Sequence, residues 1–573
     1  MKQLTSLLLA LALTGFATSA GAQTLVSADI TTDTTWSGTV ILEDPVFVKN
    51  DAVLTILPGT IIRGNPRSGP VVPGSEAGTP GALIITQSGR IIAEGNPANP
   101  IIMTTAVVDN DQDGVADDFD GDGFDDKFPG FDPAQLPALV PATNPIFLDS
   151  TPATAPLAPL DANGNSTTDK WGGLVILGSA PTNNADRAGV GYGKVTVEGL
   201  TVPGFPAVDA TYGGVNPHDN SGVLRYVSVR HAGDEIGNGN ELNGITMGGV
   251  GDGTIIEFCE VYANFDDGFE WFGGTVNGKY LVTTFVGDDD FDLDEGYTGT
   301  NQFLLAIAPF FTNNDGSAWG SSSGDKLGEF DGDNFRPDSV LLQDNVNVRL
   351  DVTQSVFDPT PWPLSFPTVY NWTAIGPHEP SPEFTPASPV GLSANRGIQM
   401  RNGFAGEVFN TIVVNTGNRR GVEIDTDLGD GAPGFDTIDN VNNDLVRVVA
   451  TTVANGAAPA AAELQAFANG DNAVAAGKYV GGSPNVVNDP GFSGLANSDT
   501  SFNPQGNAFG KLDSTLKSSP IDPRPTGTVG VDGGVEPGET GLDRSATFRG
   551  AFDRTKPLWT DGWTVLGIAG LLE

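Results

Sequence analysis

The chain has 573 residues and a net charge of −43, yet only 17% of its residues are charged, so the charge is one-sided rather than dense. That sign repels nucleic acid and anionic membrane surfaces and attracts divalent cations. Gly (76) and Pro (41) make up about a fifth of the chain, which excludes a helical bundle, while 39% hydrophobic residues suffice for a large core and exclude global disorder.

In chain order, Met1–Ala22 reads as a secretory signal peptide: Lys2 is the positive start, Leu7–Ala12 the apolar core and Ala20-Gly21-Ala22 the cleavage site. The expected product, residues 23–573, is secreted or held at the cell surface. The apolar stretch is too short for a stable span, no second long one follows, and no transmembrane segment is expected. With Cys259 the only cysteine, no intramolecular disulfide can form, and its setting in Ile255–Val261 reads as a strand with a buried thiol.

Short apolar runs then recur between Gly and Asn turns. Val46–Val48, Val53–Ile56, Pro58–Ile62, Ala82–Ile85, Gly89–Ala93 and Pro100–Met103 are too short for helices and rich in β-branched residues. The middle of the chain has a measurable period. Asn243–Met247 is followed 24 residues later by Asp267–Trp271 and 22 residues after that by Asp289–Leu293; Arg396–Met400 and Arg420–Ile424 are again 24 apart. One such unit cannot bury its apolar residues alone, but stacked units bury them in a continuous column. The period predicts an all-β fold, a right-handed parallel β-helix (a solenoid). It is too short for propeller blades of about 40 residues.

Loop insertions interrupt the coils at Asn65–Gly81, Asp109–Asp126, Pro129–Asp161, Pro359–Pro389 and Pro520–Gly541; the Pro-rich stretch 359–389 reads as an excursion from the helix. One short α-helix is predicted over Ala457–Ala468, ending before Gly470. The last segment, near 541–573, carries Trp559 and Trp563 and reads as a C-terminal cap on the last coil, where an open strand edge needs cover.

Two acidic groups stand out. Asp109–Asp117 and Asp118–Asp126 both read D-x-D-x-D-G-x-x-D and abut, giving nine carboxylates within 18 residues. Alternate Asp residues turn carboxylates to one point, Gly permits the sharp turn, and calcium wants six to eight oxygens. The pattern resembles the calcium loops of thrombospondin type 3 repeats and the first half of an EF-hand loop, without the Glu at position twelve. It makes Asp109, Asp111, Asp113, Asp117, Asp118, Asp120, Asp122 and Asp126 candidate ligands of Ca2+.

The second group is Asp266, Asp267, Glu270, Asp288, Asp289, Asp290, Asp292, Asp294 and Glu295. A 22-residue register stacks Asp266 on Asp288 and Asp267 on Asp289. Three readings stay open: solvated turn carboxylates, a second cation site, or a catalytic acid pair with Arg225, Arg230 or Lys279 as base. Of three histidines (His218, His231, His378), His231 follows a strand and reads as a turn residue. Gly189–Lys194 lacks the α/β context of a phosphate loop. Trp271 and Phe272 read as core residues or a sugar platform.

Leu54–Thr60 through Ile91–Gly95, Trp171–Gly178, and Asn220–Tyr297 resemble bacterial secreted right-handed parallel β-helix proteins of unassigned function. The resemblance covers most of residues 25–430 and the end segment Phe548–Thr564. It implies the fold and export, with no catalytic or cofactor-binding residues assigned. The expected function is that of an exported calcium-binding β-helix with a structural, adhesive or ligand-binding role, its partners cell-surface glycans or surface proteins. A polysaccharide lyase or glycoside hydrolase acting on acidic glycans is the alternative.

Overall fold

Alternation of β-branched and small residues between tight turns makes strands of two to ten residues, and in the two large sheets each strand lies parallel to its equivalent one coil on. The computed structural model describes residues 23–67, 79–118, 125, 146–183, 194–197, 207–234, 241–309, 321–322, 324–332, 365–376, 396–414, 416, 420–425, 437–442, 444–454, 461–475, 480–481, 485–487, 521–525, 533–537 and 541–572. The signal-peptide reading of residues 1–22 lies outside them.

The coils stack as a parallel β-helix with three strand ladders. One ladder is a nine-stranded sheet, here the front sheet, running from Val46–Val48 through Leu83–Ile85, Leu174–Leu177, Ile245–Gly248, Phe269–Phe272, Phe291–Asp294, Lys326–Asp331 and Arg396–Arg401 to Val422–Ile424. The other two ladders form one bent seventeen-stranded sheet. In the middle coils a single long strand serves both, bending midway: Gly222–Arg230, Ile255–Asn264, Asn277–Val286, Thr300–Ile307 and Thr368–Ile375. The predicted registers hold. Ile245 pairs with Phe269 and Phe269 with Phe291, the 24- and 22-residue steps, and Ile398 pairs with Val422.

The bend falls on one residue per coil with left-handed backbone: Tyr226 (φ 49°), Phe258 (54°), Tyr280 (59°), Phe303 (63°), Asn371 (55°) and Asn410 (51°). Bulky residues resist that conformation. Stacking opposes the cost: the rings of Tyr226, Phe258, Tyr280 and Phe303 lie 4.5, 4.3 and 4.7 Å apart, nearly parallel. Inside the coils runs an apolar column that includes Trp171, Phe269, Trp271, Phe291, Trp372 and Met400. Trp271 is 1% exposed, a core residue and no sugar platform. Cys259 is also fully buried, and burial pushes its thiol well up, so it is inert.

Four expectations need correction. Residues 359–389 are not wholly an excursion: Thr368–Ile375 is a fully buried strand between the rungs of Thr300–Ile307 and Gly406–Phe409. Its Pro-rich flanks hid a run of aromatic and β-branched residues. The predicted helix lies at Ala461–Ala475 and runs through Gly470, because the Asn469 amide donates to Val441 O (2.8 Å) and Val446 O (3.3 Å) and ties the helix to the neighbouring coil. It is not the only α-helix: Thr437–Asn442 and Val565–Ala569 are too short to show a periodicity. Finally, the contacts of the C-terminal segment are spread along the flank of the stack rather than confined to its end. Arg549 donates to Thr451 O, Ala551 N to Thr373 Oγ1, and Val565 N to Glu260 Oε1.

This strap covers the corner stack. Trp563 meets Tyr226 and Phe258 edge-on at 5.5 and 6.4 Å, Trp559 meets Tyr280 at 5.3 Å, and Phe548 stacks on Phe303. Further along, the amides of Asn371 and Asn410 donate to the carbonyls of Phe548 and Val535. Trp563 is fully buried, so Trp563→Ala is expected to cost about 3–5 kcal/mol. Limited proteolysis checks this: the strap should be cut first in the variant, and loss of the strap no faster than in the parent would contradict its anchoring role.

Candidate metal centres

The Asp109 loop leaves the stack just after the strand Ile101–Thr105. Its base is stapled by Asp109 N to Ile146 O (2.8 Å) and Asp117 N to Val108 O (3.0 Å). Within it, carboxylates act as backbone acceptors. Asp109 accepts from the amides of Asp113 and Gly114 (both 3.2 Å), Asp113 from Val115 N (2.9 Å), and Asp117 from Asn110 N (2.8 Å). Gly114 sits at φ 85°, the turn its position demands. Of the predicted ligands, Asp109, Asp111 and Asp117 bring carboxylate oxygens within 4.8 Å of one another, with Asp109 and Asp117 buried and Asp111 exposed. Burial raises the Asp109 carboxyl, against the amides that lower it. Asp113 and Asp118 are exposed and stand outside that trio. Asp120, Asp122 and Asp126 lie outside the described residues. Asp125 pairs with Lys170 at 2.8 Å. The donors are all carboxylate oxygens, which suits a hard cation.

The second acidic group lies on the outward face of the front sheet. There Phe269 and Trp271 point into the core, so Glu270 points out; Asp292 and Glu329 follow on the next two rungs. Register brings Thr246, Glu270, Asp292, Glu329, Gln399 and Glu423 into one line, and Asp294, Asp331 and Arg401 into the next. The predicted stacking of Asp267 and Asp289 is present, with Asp289 N donating to Asp267 Oδ1 at 2.9 Å. At the corner after these strands, Gly249 (φ 55°) and Gly273 (φ 68°) are followed by Glu295 (φ 51°), which accepts from Tyr212 Oη at 2.7 Å.

This column is buried. Asp267, Glu270, Asp289, Asp292, Asp294, Glu295, Glu329 and Asp331 are each at most 9% exposed, so solvated turn carboxylates are not what they are. Two cations answer part of the charge. Lys326 contacts Asp325 (2.5 Å), Glu329 (3.0 Å) and Asp289 (3.1 Å); Arg401 contacts Asp331 (2.6 Å) and Glu329 (2.9 Å). Desolvation raises Asp267, Asp289 and Asp292 well above the usual carboxylate range, and neighbouring acids raise them further. Like charges that close repel by about 3–4 kcal/mol per pair at an effective dielectric of about 20. Asp290 belongs elsewhere. It takes the interior corner place of Gly244 and Gly268, and burial pushes it up to about 8.

The proposed bases do not join this column. Arg225 sits on the bent sheet, paired with Glu94 (2.8 Å) and Glu257 (2.9 Å). Arg230 is buried there beside Glu260, and Lys279 lies near the rings of Tyr280 and Phe303. The sequence reading missed Lys326, Glu329, Asp331 and Arg401, because insertions stretch the repeat to 37 and then 70 residues. The alternation Gly328-Glu329-Phe330-Asp331, which copies Phe291-Asp292-Leu293-Asp294 with Gly in the place of Phe291, was the available signal.

Residues 146–481, more than half of the chain, match the family model described as a pectate-lyase-like β-helix domain. The chain belongs to that family. No curated protein and no solved structure matches it. The β-helix domain so defined contains the whole acidic column and excludes the Asp109 loop.

His231, within the β-helix domain, is fully buried at a left-handed corner (φ 58°). Its Nδ1 lies 3.1 Å from Thr167 O, which can only accept, so Nδ1 carries the proton; Nε2 is buried without a hydrogen-bond partner. Burial lowers its pKa to about 4, so the unfolded chain binds the extra proton first. Stability from this group is therefore full above about 6.5 and is lost as pH falls toward about 4. His231→Asn, which tolerates the left-handed corner, should melt below the parent at pH 7, with the gap narrowing by several degrees at pH 4. A gap independent of pH would show that His231 is not held neutral.

Proposed function

We propose that this β-helix protein is exported and calcium-stabilised, and that it acts as a structural or adhesive scaffold toward cell-surface glycans or surface proteins. The convergence of Asp109, Asp111 and Asp117 carboxylates in a loop with a stapled base carries the calcium reading. Two of these carboxylates, Asp109 and Asp117, are buried. Backbone carbonyls and water would complete the shell of six to eight oxygens. The lyase alternative asked for Arg225, Arg230 or Lys279 as base beside the acids, and all three are engaged on the other sheet.

Calcium that binds the folded chain alone stabilises it by about 2.7 kcal/mol at a hundredfold excess over Kd. The melting temperature should therefore rise by several degrees from chelator to millimolar calcium, and Asp109→Asn with Asp111→Asn should remove part of that rise. Equal melting temperatures in calcium and chelator would overturn the reading.

A further inference from the structure

We propose that Asp267, Glu270 and Asp292 hold a divalent cation of their own, which staples successive coils of the front sheet. The proposal is independent of the Asp109 loop. Each of the three offers an oxygen within 4.8 Å of the other two, and all three are buried. They come from two consecutive rungs, with Glu270 and Asp292 directly paired.

Three observations point to an ion rather than to a coincidence of acids. The first is an unpartnered group. Asp292 is 9% exposed, and its Oδ1 is buried with no hydrogen-bond partner, although its neighbours on that face are acids it cannot bond when ionised. The second is orientation. Asn243 holds both companions: its amide donates to Glu270 Oε2, and its Oδ1 accepts from Asp267 N at 3.2 Å, while Asp267 Oδ1 also accepts from Asp289 N. One oxygen of each companion is thereby fixed by the scaffold, as partners behind a metal ligand do. The third is the placing of the cations. Lys326 and Arg401 make their ion pairs with Asp289, Asp325, Glu329 and Asp331, acids of the next two rungs after that of Glu270. Parallel register holds the backbones of Glu270 and Asp292 at rung spacing, since both lie in paired strands.

The donors are carboxylates, without thiol or imidazole, so the fitting ions are hard ones: calcium, manganese or magnesium. A buried ion spanning two rungs is a structural staple. It converts like-charge repulsion into a cross-link, and it does so where the long insertions enter the front sheet.

The test uses the full chain, stripped with chelator and titrated calorimetrically with calcium and with manganese. Four proteins are compared: the parent, the loop variant Asp109→Asn/Asp111→Asn, and that variant carrying Asp292→Asn or Glu270→Gln. The loop variant should still bind one ion per chain and melt higher with it. Adding Asp292→Asn or Glu270→Gln should weaken that binding by about tenfold or more, as loss of ligand charge does. Without metal, the same added substitution should raise the melting temperature, since it removes a repelling charge; this confirms that the variant folds. The proposal is overturned if the loop variant binds none of these ions, or if its binding is indifferent to both Asp292→Asn and Glu270→Gln. Failure of the loop reading looks different: the loop variant would then keep the parent's full stoichiometry and melting temperature.

Discussion

Parallel, in-register stacking at about 4.8 Å is the constraint on which the rest of the molecule depends. It places each side chain directly over its equivalent on the next coil, and so turns every chemical choice at one position into a row. Apolar rows close the core, from Phe269 and Phe291 to the Trp372 that meets Phe291 edge-on at 5.6 Å. Aromatic rows make a difficult corner tolerable, since Tyr226, Phe258, Tyr280 and Phe303 each occupy a strained backbone and recover stability by stacking. The same geometry is unforgiving of charge. A row of acids is held at rung spacing whether or not anything neutralises it.

The C-terminal strap follows from the same rule. A stack of rings or amides along one corner is a continuous ledge, and a segment that crosses it can bond to several coils at once. The strap changes its chemistry with the ledge. Trp563, Trp559 and Phe548 meet the aromatic half, and backbone carbonyls at Val535, Ala546 and Phe548 meet Asn371 and Asn410. Its inner end reaches Glu260, a fully buried carboxylate raised by desolvation and held by Arg230 and Ser228. That contact ties the last residues of the chain to a coil formed some 300 residues earlier, at Glu260 and Val565.

Much of this was legible in the sequence where the period is short. The 24- and 22-residue steps named the correct partners, and six early strands fall where β-branched runs lie between turns. Legibility ended where insertions entered. Thr368–Ile375 was hidden by the prolines around it, and Lys326, Glu329 and Arg401 lay beyond breaks that destroy any fixed spacing. The helix through Gly470 failed for another reason: a tertiary bond from Asn469 outweighs a local stop signal. For the acidic clusters, composition found the residues but not their surroundings. Nothing in the spelling of Asp292 and Asp290 separates an outward carboxylate in an acidic row from an inward one facing Thr283 inside the core.

Burial changes the meaning of the net charge of −43. Exposed acids would be a solubility device, spread over turns and screened by salt. At least eight acids are instead held at most 9% exposed, with Lys326 paired to Asp289 and Glu329 and Arg401 to Glu329 and Asp331. Such a set cannot be a by-product of keeping the surface wet, because neutral residues at Glu270 or Asp292 would fold at lower electrostatic cost. The arrangement is consistent only if the charge is removed by protons or answered by a cation that favours the charged form. Asn243 orients the Glu270 carboxylate and holds the backbone amide of Asp267, and Asp289 N holds the Asp267 carboxylate. A cation is therefore the reading that accounts for the row, its neighbours and its burial together.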